Sequence, residues 1–360
     1  MRFIFGCGGT GGHIYPALAL AKTLSQQKHT CSFIGNATGM EAEIVKRHHY
    51  LFHPIRVEKL SRTLHPSLFG FPFHLLSSII NCLKYIRKTK PDAVICTGGF
   101  VSGPVAIAAI ISRIPLYFHE SNSLPGLTIK ALAKYSRITF VSWESSQKRL
   151  QQAKTQLVPI PLLPRDATDE EADLAALGID PHQPVILVSG GSQGSLMINR
   201  TIDSALDAIL QRGWQLIWQT GSASFAEFSS RHKDKEGLYI FPFSPILPLL
   251  YEKATLAITR AGAMTIAELE EARLPAILIP LPTAAENHQF YNASEQESKG
   301  LAICLQQSKL SPENLILAIS LLLKNRQDYL QRLNQLPPNT ASADICHIIT
   351  QDLTPGGPSC

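Results

Sequence analysis

A chain of 360 residues with 45% hydrophobic and 17% charged residues is too long for one ordinary core and too apolar for extended disorder, so two packed domains are expected. A formal net charge of +5 is weaker than the concentrated basic surface of a nucleic-acid binder, so no nucleic acid is expected as a partner; it suits anionic small substrates or an anionic membrane surface. The seven cysteines, at positions 7, 31, 82, 96, 304, 346 and 360 with no CxxC pair, fit neither a disulfide framework nor a zinc pattern and read as buried thiols.

The first predicted strand, RFIF, runs into FGCGGTGGH (Phe5–His13), which holds five glycines, and the stretch Tyr15–Gln26 after it is helical in pattern. MRFIFGCGG is too short an apolar run for a signal peptide. Gly6 to Gly11 spells GxGxxG, but a dinucleotide site also needs an acid closing the second strand to hold the ribose hydroxyls. The second strand, CSFIG, ends at Asn36, and the first acid is Glu41, already in a loop or helix. A nicotinamide is therefore disfavoured, and neither a cofactor nor a metal is expected. The loop's own chemistry is that of a helix N-terminus: glycines allow close backbone approach, and open N–H groups favour a phosphate. His13 falls in the first helical turn, where the same field disfavours imidazolium and leaves a neutral ring able to accept a proton. Capping or packing is the plainer use of that side chain.

Next comes Leu68–Ile86, LFGFPFHLLSSIINCLKYI, whose length suggests a membrane span but which is interrupted by Gly70, Pro72, His74, Asn81 and Lys84. Two readings stand. One is a peripheral membrane site, with Phe69, Phe71, Phe73, Leu76, Ile79, Lys84 and Arg87 as its candidates and Lys59 and Arg62 as further flanking cations. The other is an ordinary helix packed on a sheet, with a solvated basic end. Further strands follow at AVICT, PLYFHE and RITFVS, and their alternation with helical patterns predicts a parallel sheet covered on both faces.

VPIPLLPRD, with Pro159, Pro161 and Pro164, reads as a linker, after which the pattern restarts. Pro184–Leu206 repeats strand, glycine-rich loop (GGSQGS) and helix; strands follow at WQLIWQ, LYIFPF, TLAIT, PAILIP and LAICL. The expected fold is α/β, two doubly wound Rossmann-like domains facing across a cleft, with ligands at the carboxyl ends of the strands. The expected boundaries are 1–160, 161–337 and a terminal helix within 338–353 that returns to the first domain. Ser311–Thr350 is helical in pattern, broken at Pro337 and Pro338, and the tail TPGGPSC reads as unstructured.

Six motifs occur in order: GTGGHIYPALALA (Gly9–Ala21), GGFVSGP (Gly98–Pro104), HESNSLPGLT (His119–Thr128), GGSQGS (Gly190–Ser195), RAGAMTIAEL (Arg260–Leu269) and NHQFYNA (Asn287–Ala293). Together they resemble the MurG family of the GT-B glycosyltransferases, over residue 1 to about residue 350. The resemblance implies a UDP-N-acetylglucosamine-dependent hexosyltransferase that moves GlcNAc, with inversion, to the C4 hydroxyl of the muramyl sugar of undecaprenyl-pyrophosphoryl-MurNAc-pentapeptide (lipid I), giving lipid II for peptidoglycan. It implies UDP-GlcNAc, lipid I and an anionic membrane surface as partners, at the cytoplasmic face of the bacterial inner membrane, with room for other cell-wall synthesis proteins.

The resemblance also assigns roles. On the donor side Ser192 contacts the diphosphate, helped by Gly262, Ala263, Met264 and Thr265. Glu268 holds the ribose hydroxyls, Arg165 lies near the nucleotide, Phe243 stacks on the uracil and the main chain of Ser244 reads its edge. Gln289 reads the sugar hydroxyls with His288 and Asn292 beside it; Thr10, Gly11, Gly12, His13 and Asn122 complete the UDP-GlcNAc set. Gly9, Thr10, Gly11, Gly12 and Gly103 are the candidates for the acceptor diphosphate. His13 is the favoured base, with Glu120 and Asn122 as rivals. The chain departs from the family where Ser121 replaces a common Gln, Phe100 a Tyr, Ser244 an apolar residue and PIPLLP the usual Gly-Asn-Pro before the arginine. Three rival readings remain open: another GT-B enzyme acting on UDP-GlcNAc (an epimerase or lipid glycosyltransferase), an NAD-linked oxidoreductase, and a nucleotide-sugar-binding protein without turnover.

Overall fold

The computed structural model describes residues 1–57, 67–163, 174–191, 193–233, 235–244 and 247–354, with the backbone alone described at 67–71 and 285. The chain divides into two compact units, one of Met1–Pro164 with Asn339–Cys360, the other of Arg165–Pro338.

The first unit is built on a seven-stranded sheet of β1 (Arg2–Gly6), β2 (Thr30–Asn36), β3 (Leu51–Ile55), β4 (Ala93–Cys96), β5 (Leu116–Glu120), β6 (Ile138–Val141) and β7 (Thr155–Leu157), in the order β3-β2-β1-β4-β5-β6-β7. All its pairs are parallel. Every residue of β4 and β5 is buried, as helix cover on both faces demands. The cover comes from α1 (Gly11–Gln26), α2 (Met40–Arg47), α3 (Ser67–Thr89), α4 (Ser102–Ile111), α5 (Leu127–Leu132) and α6 (Glu144–Arg149). The sequence pattern misses β3 and β7 for a physical reason. β3 is an edge strand, LFHPI, where Pro54 is tolerated because its missing N–H faces no neighbour, and β7 is a three-residue edge without a buried position. Strand order reverses beside β1, so the loops after β1 and β4 diverge and frame the crevice of this sheet.

On one face of that sheet Phe5 stacks on Phe33 with ring centroids 5.1 Å apart, under Ile14, Leu18 and Leu24 of α1. The last helix joins this cluster through Ile345, Cys346 and Ile349, and the Cys346 thiol donates to the Leu20 carbonyl at 3.6 Å. On the other face Cys82 and Ile86 of α3 and Val105, Ala108 and Ala109 of α4 cover Ile4, Val94 and Phe118. α3 begins well before the helical pattern is clear in the sequence, because Gly70 and Pro72 fall in its first two turns.

The second unit has a six-stranded parallel sheet of β8 (Val185–Ser189), β9 (Gln215–Gln219), β10 (Leu238–Phe241), β11 (Leu256–Thr259), β12 (Ala276–Leu278) and β13 (Ala302–Cys304), ordered β10-β9-β8-β11-β12-β13. Its helices are α7 (Leu196–Leu210), α8 (Ser222–Arg231), α9 (Leu247–Lys253), α10 (Ala263–Glu271), α11 (His288–Ser298), α12 (Pro312–Lys324) and α13 (Arg326–Asn334). The switch in strand order here falls beside β8, between the loops that follow β8 and β11. α14 (Ala341–Leu353) then closes the first unit, where Tyr117 and Arg137 both bond the Asp352 carboxylate. Among the described residues no helix is long and apolar enough to cross a membrane.

Candidate functional site

In the first unit the glycine loop ends at Thr10, whose extended backbone (φ −148°, ψ 157°) starts α1 without a side-chain cap. The amides of Thr10, Gly11 and Gly12 make no hydrogen bond among the described residues, so an uncapped helix start is exposed to a ligand. Gly9 differs. Its amide donates to a carboxylate oxygen of Glu41 at 3.3 Å, which removes it from the anion-binding set expected from the sequence. Glu41, which follows the second strand too late to serve a ribose, lies in the first turn of α2 with no exposed surface. Pro16, lacking an N–H, leaves the Gly12 carbonyl without its helical partner, and the Ser121 hydroxyl reaches that carbonyl at 3.5 Å.

His13 is fixed by the loop after β4. Its Nδ1 lies 3.0 Å from the Thr97 carbonyl, and the Thr97 hydroxyl donates to the His13 carbonyl at 2.6 Å. A carbonyl only accepts, so the neutral ring carries its proton on Nδ1 and presents Nε2 as the basic nitrogen. The ring edge packs on glycine backbone: a Cβ at Gly98 (φ +103°) would sit 2.7 Å from Nδ1, and one at Gly99 (φ +79°) 2.1 Å from the Gly8 carbonyl oxygen. Ser102 ties the same loop to β1 by donating to the carbonyl oxygens of Gly6 at 2.9 Å and Gly98 at 2.6 Å. None of Thr97, Gly98, Gly99 and Ser102 was a candidate. The signal that marks them is the paired glycine closing a buried strand in CTGG. Gly103 lies in the first turn of α4, where an added Cβ would meet only Thr128 at 3.8 Å, an ordinary contact.

The two rivals of His13 are spent on their own loop. One oxygen of Glu120 accepts the Asn122 amide at 2.9 Å and its side-chain nitrogen at 3.1 Å, and the other accepts Gly126 N at 2.8 Å. Burial raises the Glu120 pKa against the pull of these donors. Trp143 Nε1 donates to the Ser121 carbonyl at 2.7 Å and Ser145 to the Ser123 carbonyl at 3.1 Å, so residues 121–126 are braced from both sides. His119, fully buried beneath, touches the hydroxyls of Ser142 at 3.2 Å and Ser121 at 3.4 Å; burial first, and then the neighbouring His13, pushes its pKa down to about 3. It stays neutral at physiological pH and holds the loop as a hydrogen-bonding core residue.

In the second unit α10 starts at Ala263 after Gly262, again without a side-chain cap, and the amides of Gly262, Ala263 and Met264 are open among the described residues. Thr265 lies in the same turn, and Glu268 stands one turn further on, half-buried. Its carboxylate makes no hydrogen bond or ion pair among the described residues, and desolvation raises its pKa to about 7. Phe243 is 48% exposed at the end of β10, beside Ser244. The Gln289 side-chain oxygen accepts Leu281 N at 3.0 Å, which leaves its NH2 group as the donor for a ligand. Asn292 is buried and donates to the Ala261 carbonyl at 3.2 Å, tying α11 to the turn before α10. Glu286 (φ +53°) and Asn287 (φ +57°), directly before His288, are both left-handed, a strained conformation for such residues that aims the start of α11.

Arg260 carries no assigned role in the sequence reading, and its place is telling. It closes β11 at 8% exposure and donates to the carbonyls of Ile279 and Pro280, both at 3.2 Å, to Ser195 Oγ at 2.7 Å and to Gln307 Oε1 at 2.7 Å. Burial lowers its pKa to about 10, and no carboxylate pairs with it among the described residues. Ser195 is the N-cap of α7, accepting Ile198 N at 3.5 Å, so a buried positive charge is wired to the head of the GGSQGS loop. Ser192 and Arg165 lie outside the described residues, as do Lys59 and Arg62 and the side chains of Phe69 and Phe71. Among the described side chains of α3 the large exposed apolar residues are Phe73, Leu76 and Ile80, followed by exposed Lys84 and Arg87. Ile79 is half-buried, because the inward line Ser78–Cys82–Ile86 turns the outer stripe one position past it.

Residues 3–141 match the glycosyltransferase family 28 N-terminal domain and residues 185–345 its C-terminal domain. A Francisella philomiragia protein named UDP-N-acetylglucosamine--N-acetylmuramyl-(pentapeptide) pyrophosphoryl-undecaprenol N-acetylglucosamine transferase is 36% identical over 95% of this chain and 94% of its own. A protein of the same name from Carboxydothermus hydrogenoformans is 33% identical over 88% of this chain and 87% of its own. The solved structure of Acinetobacter baumannii MurG superposes with a TM-score of 0.77 at 26% identity, covering 97% of this chain and 99% of that one. A kitacinnamycin glycosyltransferase reaches the same TM-score at 16% identity, a likeness of fold alone. The chain therefore has the two-domain GT-B fold and belongs to the MurG family of N-acetylglucosamine transferases.

Proposed function

We propose that the chain transfers GlcNAc from UDP-GlcNAc to the C4 hydroxyl of the muramyl sugar in lipid I, with inversion, as a step of peptidoglycan synthesis. The observation that carries the reading is Glu268: a half-buried carboxylate without a hydrogen-bond partner among the described residues, one turn beyond three open amides. A vicinal diol donates to such a carboxylate and a diphosphate accepts from such amides, which together describe a nucleoside diphosphate. Arg260 supports the same end. Its charge, held behind the loop after β8, offsets the negative charge that UDP carries away as its bond to the sugar breaks.

On the first unit, His13 serves as the base. Nε2 takes the hydroxyl proton as the acceptor oxygen bonds to the anomeric carbon, and Nδ1–H stays on the Thr97 carbonyl and fixes the ring. The open amides of Thr10, Gly11 and Gly12 suit the acceptor's diphosphate. The acceptor's isoprenoid tail stays in a bilayer, so the enzyme works at a membrane surface. Phe73 (76% exposed), Leu76 (56%) and Ile80 (43%), followed along α3 by Lys84 and Arg87, suit shallow insertion into an anionic leaflet at the cytoplasmic face.

Incubation with labelled UDP-GlcNAc and a lipid I analogue tests the reading. Labelled lipid product is expected. Conversion of UDP-GlcNAc without acceptor would instead identify an epimerase, and binding of UDP with no product a protein without turnover.

A further inference from the structure

The first glycine loop has a carboxylate built behind it. Glu41 has no exposed surface, and its two oxygens are divided between two strand ends: one accepts Asn36 N at 2.9 Å, the other Gly9 N at 3.3 Å. No cation pairs with it among the described residues, and two backbone amides are its hydrogen-bond donors there. Three glycines are moulded around it. A Cβ at Gly8 would lie 2.3 Å from its Oε1, one at Gly39 would lie 2.4 Å from both oxygens, and one at Gly35 would lie 2.7 Å from its Cγ.

We infer that Glu41 is a positioning residue that sets the catalytic loop of the first unit. By taking the Gly9 amide it holds the Gly8–Gly9 half of the loop (Gly9 φ +89°) down against the end of β2. The open amides are then confined to Thr10, Gly11 and Gly12, directly before His13. Its carboxylate also fills the room under the loop and points inward, which closes the site to the ribose that an acid after the second strand would hold in a dinucleotide fold. The inference rests on reading this loop as the acceptor side.

The test is Glu41→Gln, which keeps the shape but leaves one oxygen for two amides. The expected result is a fall of at least tenfold in kcat/KM for a lipid I analogue, while UDP titrated calorimetrically into the variant binds within twofold of wild type. Gly39→Ala reaches the same contact by another route, since Gly39 has an ordinary φ of −83° and the three atoms nearest its Cβ would all belong to the Glu41 carboxylate; the same split is expected. Wild-type turnover in both variants overturns the proposal, as does an equal loss of UDP affinity, which would mark a general fold defect. Failure of the wild type itself to transfer GlcNAc overturns the functional reading, and this inference with it. If neither variant folds, amide exchange in the wild type decides: a protected Gly9 amide beside fast Thr10, Gly11 and Gly12 supports the assignment, and Gly9 exchanging as fast as Gly11 refutes it.

Discussion

The two glycine loops of this chain share one topology and differ in the charge built behind them. Both follow the first strand of a parallel sheet, at the switch in strand order, and lead to a helix start, the loop of the first unit to α1 and that of the second to α7. Behind the first is Glu41, a buried carboxylate with no ion-pair partner among the described residues, and across from it His13, clasped by the loop after β4. Behind the second is Arg260, a buried guanidinium bonded to the N-cap of α7 and without a carboxylate partner among the described residues. Open amides stand at Thr10, Gly11 and Gly12 after the first loop and, in the second unit, at Gly262, Ala263 and Met264 after β11. The proposed function gives the two loops separate tasks: proton abstraction at the first, and reception of the departing UDP at the second.

The sharpest way to break this division is His13→Ala, expected to lower kcat by about two to four orders of magnitude with donor KM little changed. Steady-state kinetics with both substrates varied decide it, and near-normal turnover would move the base elsewhere. Next in size is membrane attachment, which the account places wholly on the first unit. Phe73→Ser, Leu76→Ser and Ile80→Ser each remove up to about 3 kcal/mol of apolar transfer. The folded triple variant should leave anionic vesicles in a flotation assay, and unchanged binding would put the membrane site elsewhere. Glu268→Ala is expected to raise donor KM about tenfold or more and to lower kcat less, because a charge-assisted hydrogen bond contributes about 1.5–3 kcal/mol. The reverse pattern would take the ribose away from Glu268.

A further expected effect is in pH dependence, and its sign follows from the environment of Glu268. Its folded pKa of about 7 lies above the unfolded value, so the folded state binds the extra proton between roughly pH 4.5 and 7. The wild type therefore loses stability relative to Glu268→Gln as pH rises through that window, by an amount on the order of 3 kcal/mol when complete. His119 runs the other way: its folded pKa of about 3 lies below the unfolded value near 6.5, so its contribution is lost as pH falls through that interval. Thermal melts of wild type and Glu268→Gln across pH 4 to 8 separate the two, and parallel curves would contradict the buried state of Glu268.

Much of this comparison is legible in the sequence. The doubling of strand, glycine loop and helix is visible because buried parallel strands are continuous apolar runs and glycine loops interrupt them sharply. Glu268, Phe243 and Gln289 could be named through the resemblance to the MurG family, which places a role at each of these positions. What the sequence hides is direction. Glu41 reads as an acid arriving too late after β2, and only the fold shows it turned inward beneath Gly9. Arg260 reads as a cation at a strand end, and its role comes from Ser195, far away in the chain. The clasp on His13 depends on Thr97 and Gly98, brought alongside by the β1–β4 pairing. Ile79 and Ile80 exchange roles because helix phase, set by Ser78, Cys82 and Ile86, decides the outward side.

The most direct measurement is a paired one on His13→Ala and Glu268→Ala: UDP affinity by calorimetry, and GlcNAc transfer to a lipid I analogue at saturating donor. His13→Ala is expected to bind UDP like the wild type and hardly transfer, while Glu268→Ala is expected to bind UDP weakly and transfer once donor is saturating. Loss of UDP binding in His13→Ala with near-normal transfer, or unchanged UDP affinity in Glu268→Ala, would contradict the division of labour between the two loops.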